Sequence, residues 1–156
     1  PSKRVHTYRH TAWLAARLGV PFRYPPGHPF NPIHALRLTL ALGGTCAAVR
    51  TIFDFVWAEG RSVADEWRAL SDRLGVADPD ALTNAPQVKA ALRENGERAI
   101  AAGVFGVPTF AADGHLFWGL DATDMLRDWL ANPQLFDTAE MRRVSNLPVA
   151  AARKDA

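Results

Sequence analysis

Apolar residues recur at helical spacing through most of the first hundred positions, and glycine or proline marks nearly every break. Val5, Ala12, Trp13 and Ala16 share one stripe that Gly19 ends. Ile33 to Leu42 follows as a second helix. Its Ile33, Leu36, Leu38, Leu40 and Leu42 leave little polar face, which predicts burial all round. After Gly43-Gly44 a third segment carries Cys46, Val49, Ile52, Phe53, Val56 and Trp57 and stops at Gly60. Ser62 is placed to cap a fourth, with Asp65 three residues on, Trp67, Leu70 and Leu74 inward, and Gly75 as the stop. Asp78-Pro79 opens a short helical turn. Pro86 fits the first turn of a longer helix with Val88, Leu92, Gly96, Ala99 and Ile100 on one stripe. A glycine in that stripe predicts close backbone packing, because it otherwise costs about 1 kcal/mol in a helix.

The period changes after Gly103. Val107-Pro108 opens an extended segment, since a residue before proline is pushed out of the α region. The pattern predicts strands near 108–112 and 115–118, joined by Asp113-Gly114, a strong two-residue hairpin signal. Gly119 breaks the return strand, and Asp121 is placed to cap a last helix with Met125, Leu126, Trp129 and Leu130 inward. Asn132-Pro133 ends that helix. The first strand is almost wholly apolar and expects cover on both faces, yet nothing before it reads as a strand. A lone hairpin is marginal in water, so the pattern predicts that sheet neighbours are missing. Residues 134–156 show weak periodicity. Leu135-Phe136 and Leu147-Pro148-Val149 are the segments able to dock, and Lys154-Asp155-Ala156 is expected to be mobile.

One region fits neither period. Tyr24-Pro25-Pro26-Gly27-His28-Pro29-Phe30-Asn31-Pro32 holds four prolines in eight residues, which excludes helix and central strand. Such a stiff, aromatic loop is a candidate site wall. Composition adds limits: 156 residues, 48% hydrophobic and 22% charged, is the make-up of a globular domain. The net charge of +2 gives no reason to expect nucleic acid or a membrane surface as partner. No apolar run is long enough to span a bilayer, and no stretch reads as a signal peptide. Cys46 is the only cysteine, which excludes an internal disulfide or a Cys-x-x-Cys pair and makes the cytoplasm the default location. In its apolar context a buried, inert thiol is expected. Trp13, Trp57, Trp67 and Trp129 read as core.

The wording of these stretches resembles the 2-hydroxychromene-2-carboxylate isomerase family, which sits with kappa-class glutathione transferases in the DsbA-like branch of thioredoxin folds. The matching residues are Thr7-Tyr8-Arg9-His10, Gly19-Val20-Pro21-Phe22, His28-Pro29-Phe30-Asn31-Pro32 and Ala35-Leu36-Arg37-Leu38. The most specific run is Gly103-Val104-Phe105-Gly106-Val107-Pro108-Thr109, followed by Leu116-Phe117-Trp118-Gly119 and Asp121. The resemblance implies an α/β thioredoxin-like fold with a large helical insertion. In this chain it is mostly α, with a C-terminal β-hairpin and helix. It divides the chain into a helical insertion domain over 1–100, the C-terminal part of the thioredoxin-like domain over 101–133, and a tail over 134–156. It also implies a strand-helix-strand segment before Pro1. The family's serine belongs to that segment, so no catalytic residue is expected within the chain.

By the same resemblance the activity is a glutathione-dependent isomerisation of a small aromatic carboxylate in aromatic hydrocarbon breakdown, carried out by a homodimer without a metal. Val107, ahead of a cis Pro108, would pair its backbone with the cysteinyl part of glutathione. The helix start at Asp121 would meet the glutamyl end, and Asp121 itself would accept from the glutamyl ammonium; its plainer role is an N-cap. Trp118 is either a wall of that site or packing. Arg23, His28, Asn31 and Arg37 are the candidates for the substrate carboxylate, against surface or loop-capping roles. The chain departs from the family at Leu120, where a polar residue is usual, and at Ala122, where many relatives carry Arg. A truncated non-catalytic homologue, or a glutathione-binding remnant, is the alternative reading. A kappa-type transferase or a DsbA-like oxidoreductase comes third, the latter requiring a cysteine pair.

Overall fold

A computed structural model of the chain describes residues 2–148, so the expectations for Val149 and for 154–156 lie outside the described residues. The chain forms two compact units, Pro1–Glu97 and Arg98–Ala156.

The first unit is helical. It contains α1 (Ser2–Arg17), α2 (Ile33–Ala41), α3 (Cys46–Phe53), α4 (Trp67–Arg73), α5 (Pro79–Asn84) and most of α6 (Pro86–Ala101). Each break follows a residue with a physical reason to break. Gly19, Gly43, Gly44, Gly60 and Gly75 all sit at φ between 62° and 74°, a region that favours glycine. Thr45 and Asp78 accept hydrogen bonds from Ala48 N and Ala81 N at the starts of α3 and α5. Ser62 Oγ accepts from Asp65 N at 3.2 Å, one turn ahead of α4. Beyond Phe53 the chain winds as a π-helical turn over Asp54–Ala58. That turn puts Phe55 and Val56 into the core with Leu38, Ile52, Val63, Leu70 and Val76. Leu38, Phe55 and Leu70 are fully buried, each worth about 1.5–3 kcal/mol relative to exposure. α2 packs against α3 and α5.

Periodicity overstated how much of each stripe is covered. On α1 only Ala15 is buried, and Val5 and Trp13 are exposed. On α2 only Ala35 and Leu38 are buried, while Ile33 and Leu36 face outward. Phe53 is exposed, as is the Cys46 thiol, because Cys46 is the first residue of α3 and precedes its buried face. Gly96 approaches nothing within 4 Å, and Val88 is the single buried residue of α6, with Ile100 outward.

The second unit carries the hairpin, β1 (Thr109–Ala112) and β2 (His115–Trp118). They pair antiparallel with Thr109 opposite Trp118 and Ala112 opposite His115. Asp113 and Gly114 both take positive φ at the turn. These are the only strands among the described residues. Phe117 is fully buried and packs on Trp129 of α7 (Thr123–Ala131) and on Phe136, which sits in a 3₁₀ turn over Pro133–Phe136. Phe136 therefore docks as expected. Leu147 does not; it is exposed after α8 (Ala139–Val144). β1 lacks the two-sided cover its composition calls for, since Phe110 and Ala111 are exposed.

Candidate functional site

The second unit presents one candidate surface. Gly106 to Pro108 leads into β1, and Val107 is 85% exposed. The Val107–Pro108 peptide is cis, as is His28–Pro29. The backbone N–H and C=O of Val107 have no hydrogen-bond partner among the described residues. Those around them are fixed. Thr109 Oγ1 donates to Gly106 O at 2.6 Å, and Gly119 N donates to Pro108 O at 2.9 Å. The second bond joins the Val107 segment to the residues after β2. There Gly119, at φ 85°, leaves room for the Asp121 carboxylate: a β-carbon on Gly119 would stand 2.5 Å from Asp121 Oδ1. Gly106 serves Trp118 in the same way, since a β-carbon there would stand 2.5 Å from the indole nitrogen. Trp118, 48% exposed, also lies against Phe105, with centroids 5.3 Å apart.

Asp121 is not a helix cap. Ala122 occupies the N-cap position of α7, and no side chain caps it. Thr123 supplies the local closure, donating through both N and Oγ1 to Leu120 O. The cap expectation failed because Gly119-Leu120 turns the chain one residue later than the pattern suggests. Asp121 is therefore an exposed carboxylate with no partner among the described residues. Leu120 is exposed, and Ala122 offers no polar side chain.

In the first unit the proline-rich loop is held at several points. Arg23 N donates to Trp57 O at 2.6 Å. Gly60, at φ 70°, lets the chain pass the loop, where a β-carbon would meet Arg23 Cγ at 2.6 Å and Tyr24 O at 2.9 Å. Tyr8 Oη donates to His28 O at 2.8 Å and lies 2.8 Å from His28 Nδ1, so the ring nitrogen can donate back to the phenol oxygen. The His28 ring sits edge-on to Trp57 and Tyr8. Asn31 Oδ1 accepts from Ile33 N at 3.0 Å at the start of α2.

This loop bounds a cavity of about 440 Å³. Pro25, Gly27, Phe30 and Asn31 form one side, His34 of α2 another, and Arg61 to Ala64 with Trp67 the third. Of the four residues assigned to a substrate, only Asn31 lines it. His28 is engaged with Tyr8, and Arg37, half-buried on α2, has its Nε buried without a partner. Arg23 is exposed and makes no ion pair among the described residues. His34 and Arg61 were not singled out in the sequence, and Trp67 was read as core. Ser62 had a local explanation as a cap, and nothing in one strand of text shows that residues thirty apart converge.

Arg61 belongs to a charge cluster. Its Nε and Nη2 donate to Glu66 Oε2 at 2.8 and 2.5 Å, and its Nη1 lies 3.5 Å from Glu59. Glu59 is also paired with Arg73. The Arg73 hydrogen bond, with Arg61 adding to it, holds the Glu59 carboxyl below its ordinary value; the Arg61 hydrogen bond does the same to Glu66. Both guanidinium groups lie over the Phe55 ring. No three His, Cys, Asp or Glu side chains converge as a metal set among the described residues, and no helix there is long and apolar enough to cross a membrane.

Residues 1–131 match the DsbA-like thioredoxin domain. The chain belongs to that family. The match takes in both units, so this DsbA-like chain is a thioredoxin relative whose described residues are mainly helical. It is also similar to a solved structure of a 2-hydroxychromene-2-carboxylate isomerase, with a TM-score of 0.69 and 21% identity. The likeness covers 90% of this chain and 71% of that one, and at this identity it speaks for the fold. No curated protein matches the DsbA-like chain.

Proposed function

We propose that the protein is a cytoplasmic, homodimeric, glutathione-dependent isomerase of the 2-hydroxychromene-2-carboxylate type, acting on a small aromatic carboxylate in hydrocarbon breakdown. The observation that carries this reading is that an exposed Val107 and an exposed Asp121 carboxylate, neither with a hydrogen-bond partner among the described residues, flank the bond from Gly119 N to Pro108 O. Free N–H and C=O groups at the entry to β1 suit a short peptide added like a strand. A lone carboxylate beside a helix start suits an amino acid end, the acid for the ammonium and the helix amides for the carboxylate. Leu120 and Ala122 give no further polar contact there, so the fit rests on backbone and Asp121. Glutathione, when bound, supplies a thiolate that adds to the unsaturated substrate, lets a carbon–carbon bond turn, and leaves. The chain's part is to bind and orient, with Val107 fixing the cysteinyl unit and Asp121 the glutamyl unit. Within the first unit, Arg23 is exposed and in no ion pair among the described residues, which leaves its guanidinium available to a carboxylate.

Calorimetric titration of reduced glutathione into the full chain tests this. Asp121→Asn should weaken binding by about 1–2 kcal/mol while leaving the melting temperature unchanged. Equal affinity for both proteins, or no binding by wild type, refutes the reading. Binding without turnover of 2-hydroxychromene-2-carboxylate would assign a binding role alone.

A further inference from the structure

The cavity beside the proline-rich loop combines apolar walls with hydrogen-bond donors. Phe30, Val63 and Trp67 give it apolar surface. The Trp67 indole N–H is engaged by Asp80 Oδ1 at 3.1 Å, and its ring meets the His34 imidazole in an edge contact, centroids 5.6 Å apart, so Trp67 offers the cavity ring surface and no donor. The polar groups at its rim are mostly donors without acceptors. Asn31 Oδ1 accepts from Ile33 N and Ser62 Oγ accepts from Asp65 N, while the Asn31 amide N–H groups and the Ser62 O–H have no acceptor among the described residues. Arg61 is the arginine of the lining; it pairs with Glu66 and with Glu59, which also pairs with Arg73, and two of its five N–H bonds have no partner among the described residues. A volume of about 440 Å³ falls in the range of small-molecule sites, about 300–1,000 Å³.

We infer that this cavity is a binding site for an uncharged, planar aromatic compound bearing an acceptor oxygen, such as an aryl ketone or lactone. The rings stack between Phe30 and Trp67, and the oxygen accepts from Ser62 and Asn31. A carboxylate gains little there, because the charge of Arg61 is already met by Glu66 and by Glu59, which it shares with Arg73. The inference does not rest on glutathione binding.

Two near-isosteric probes separate these cases: 2-acetylnaphthalene, which is neutral, and 2-naphthoate, which is charged. Each is titrated into the full ¹⁵N-labelled chain, following the indole signal of Trp67 and the amides of Ser62 to Ala64. The ketone should shift these signals and bind on the order of fivefold tighter than the acid. Ser62→Ala should weaken the ketone on the order of fivefold by removing one donor. Ala64→Trp, which puts a ring into the cavity, should abolish the shifts; a melting curve checks that it folds, and Ser62→Ala stands if it does not. Preference for 2-naphthoate, shifts confined to other residues, no binding of the ketone, or indifference to Ser62→Ala would each overturn the proposal.

Discussion

Replacing Gly60 by alanine should destabilise the first unit far more than the same change at Gly75, though both residues sit at φ 70°. The left-handed backbone costs each alanine about 1–2 kcal/mol, partly offset by about 0.4–1 kcal/mol through a less flexible unfolded chain. Gly75 has nothing within 4 Å, so Gly75→Ala should stop near 1 kcal/mol. At Gly60 the new carbon lands 2.6 Å from Arg23 Cγ and 2.9 Å from Tyr24 O. The arginine stem can swing away; the carbonyl moves only if the proline-rich loop moves, an overpacking cost of about 1–3 kcal/mol. Gly60→Ala should thus lose about 2–4 kcal/mol in all, against a melting shift of about 2–4 °C per kcal/mol for a chain this size. Urea titration followed by tryptophan fluorescence reads both variants. Adding Arg23→Ala should recover only part of the loss, because Tyr24 O stays. Equal losses for Gly60→Ala and Gly75→Ala would show that the loop does not press on this glycine.

Other outcomes follow from the same contacts. The Glu59 and Glu66 carboxyls are held below their ordinary value of 4.5, so the stability they add is present above that pH and disappears as pH falls through their folded values. Thermal melts from neutral to acid pH should show a shallower decline in Arg73→Met than in wild type; parallel curves would remove the cluster from the account. The Cys46 thiol should react with a thiol reagent in the native protein, and reaction only in denaturant would contradict its exposure. Gly106→Ala should displace the Trp118 indole from Phe105 and change its emission, measured against Trp118→Phe; an unchanged spectrum would refute the close approach.

The sequence carried the punctuation of this fold well. Gly19, Gly60, Gly75 and Asp113-Gly114 act over one or two residues, and their backbone demands are legible without tertiary structure. Apolar stripes were less informative. Val5, Trp13, Leu36 and Ile100 recur at the right period and are nevertheless exposed, because periodicity says which face is apolar and not what covers it. At the Val107 surface the residues lie close together in sequence, so the run from Gly103 to Asp121 displayed them. The role of Asp121 as a cap failed on a one-residue shift in where α7 begins. The cavity was invisible for a different reason. Arg61, Ser62 and Trp67 each have a sound local role, and only folding brings them opposite Asn31.

The loop that bounds this cavity has little freedom left to lose. Proline fixes φ at four of its positions, Arg23 is bonded to Trp57, His28 is clasped by Tyr8, and Asn31 closes on Ile33. Ordering a free loop on binding costs about 1–2 kcal/mol per residue in backbone entropy. Here that cost has already been met during folding, so a guest would find its walls preorganised. Affinity at such a site should respond to the shape of the guest more sharply than to its length. Mutations that cut one tether, such as Tyr8→Phe, should appear first as a less favourable binding entropy, with the contacts to the guest unchanged.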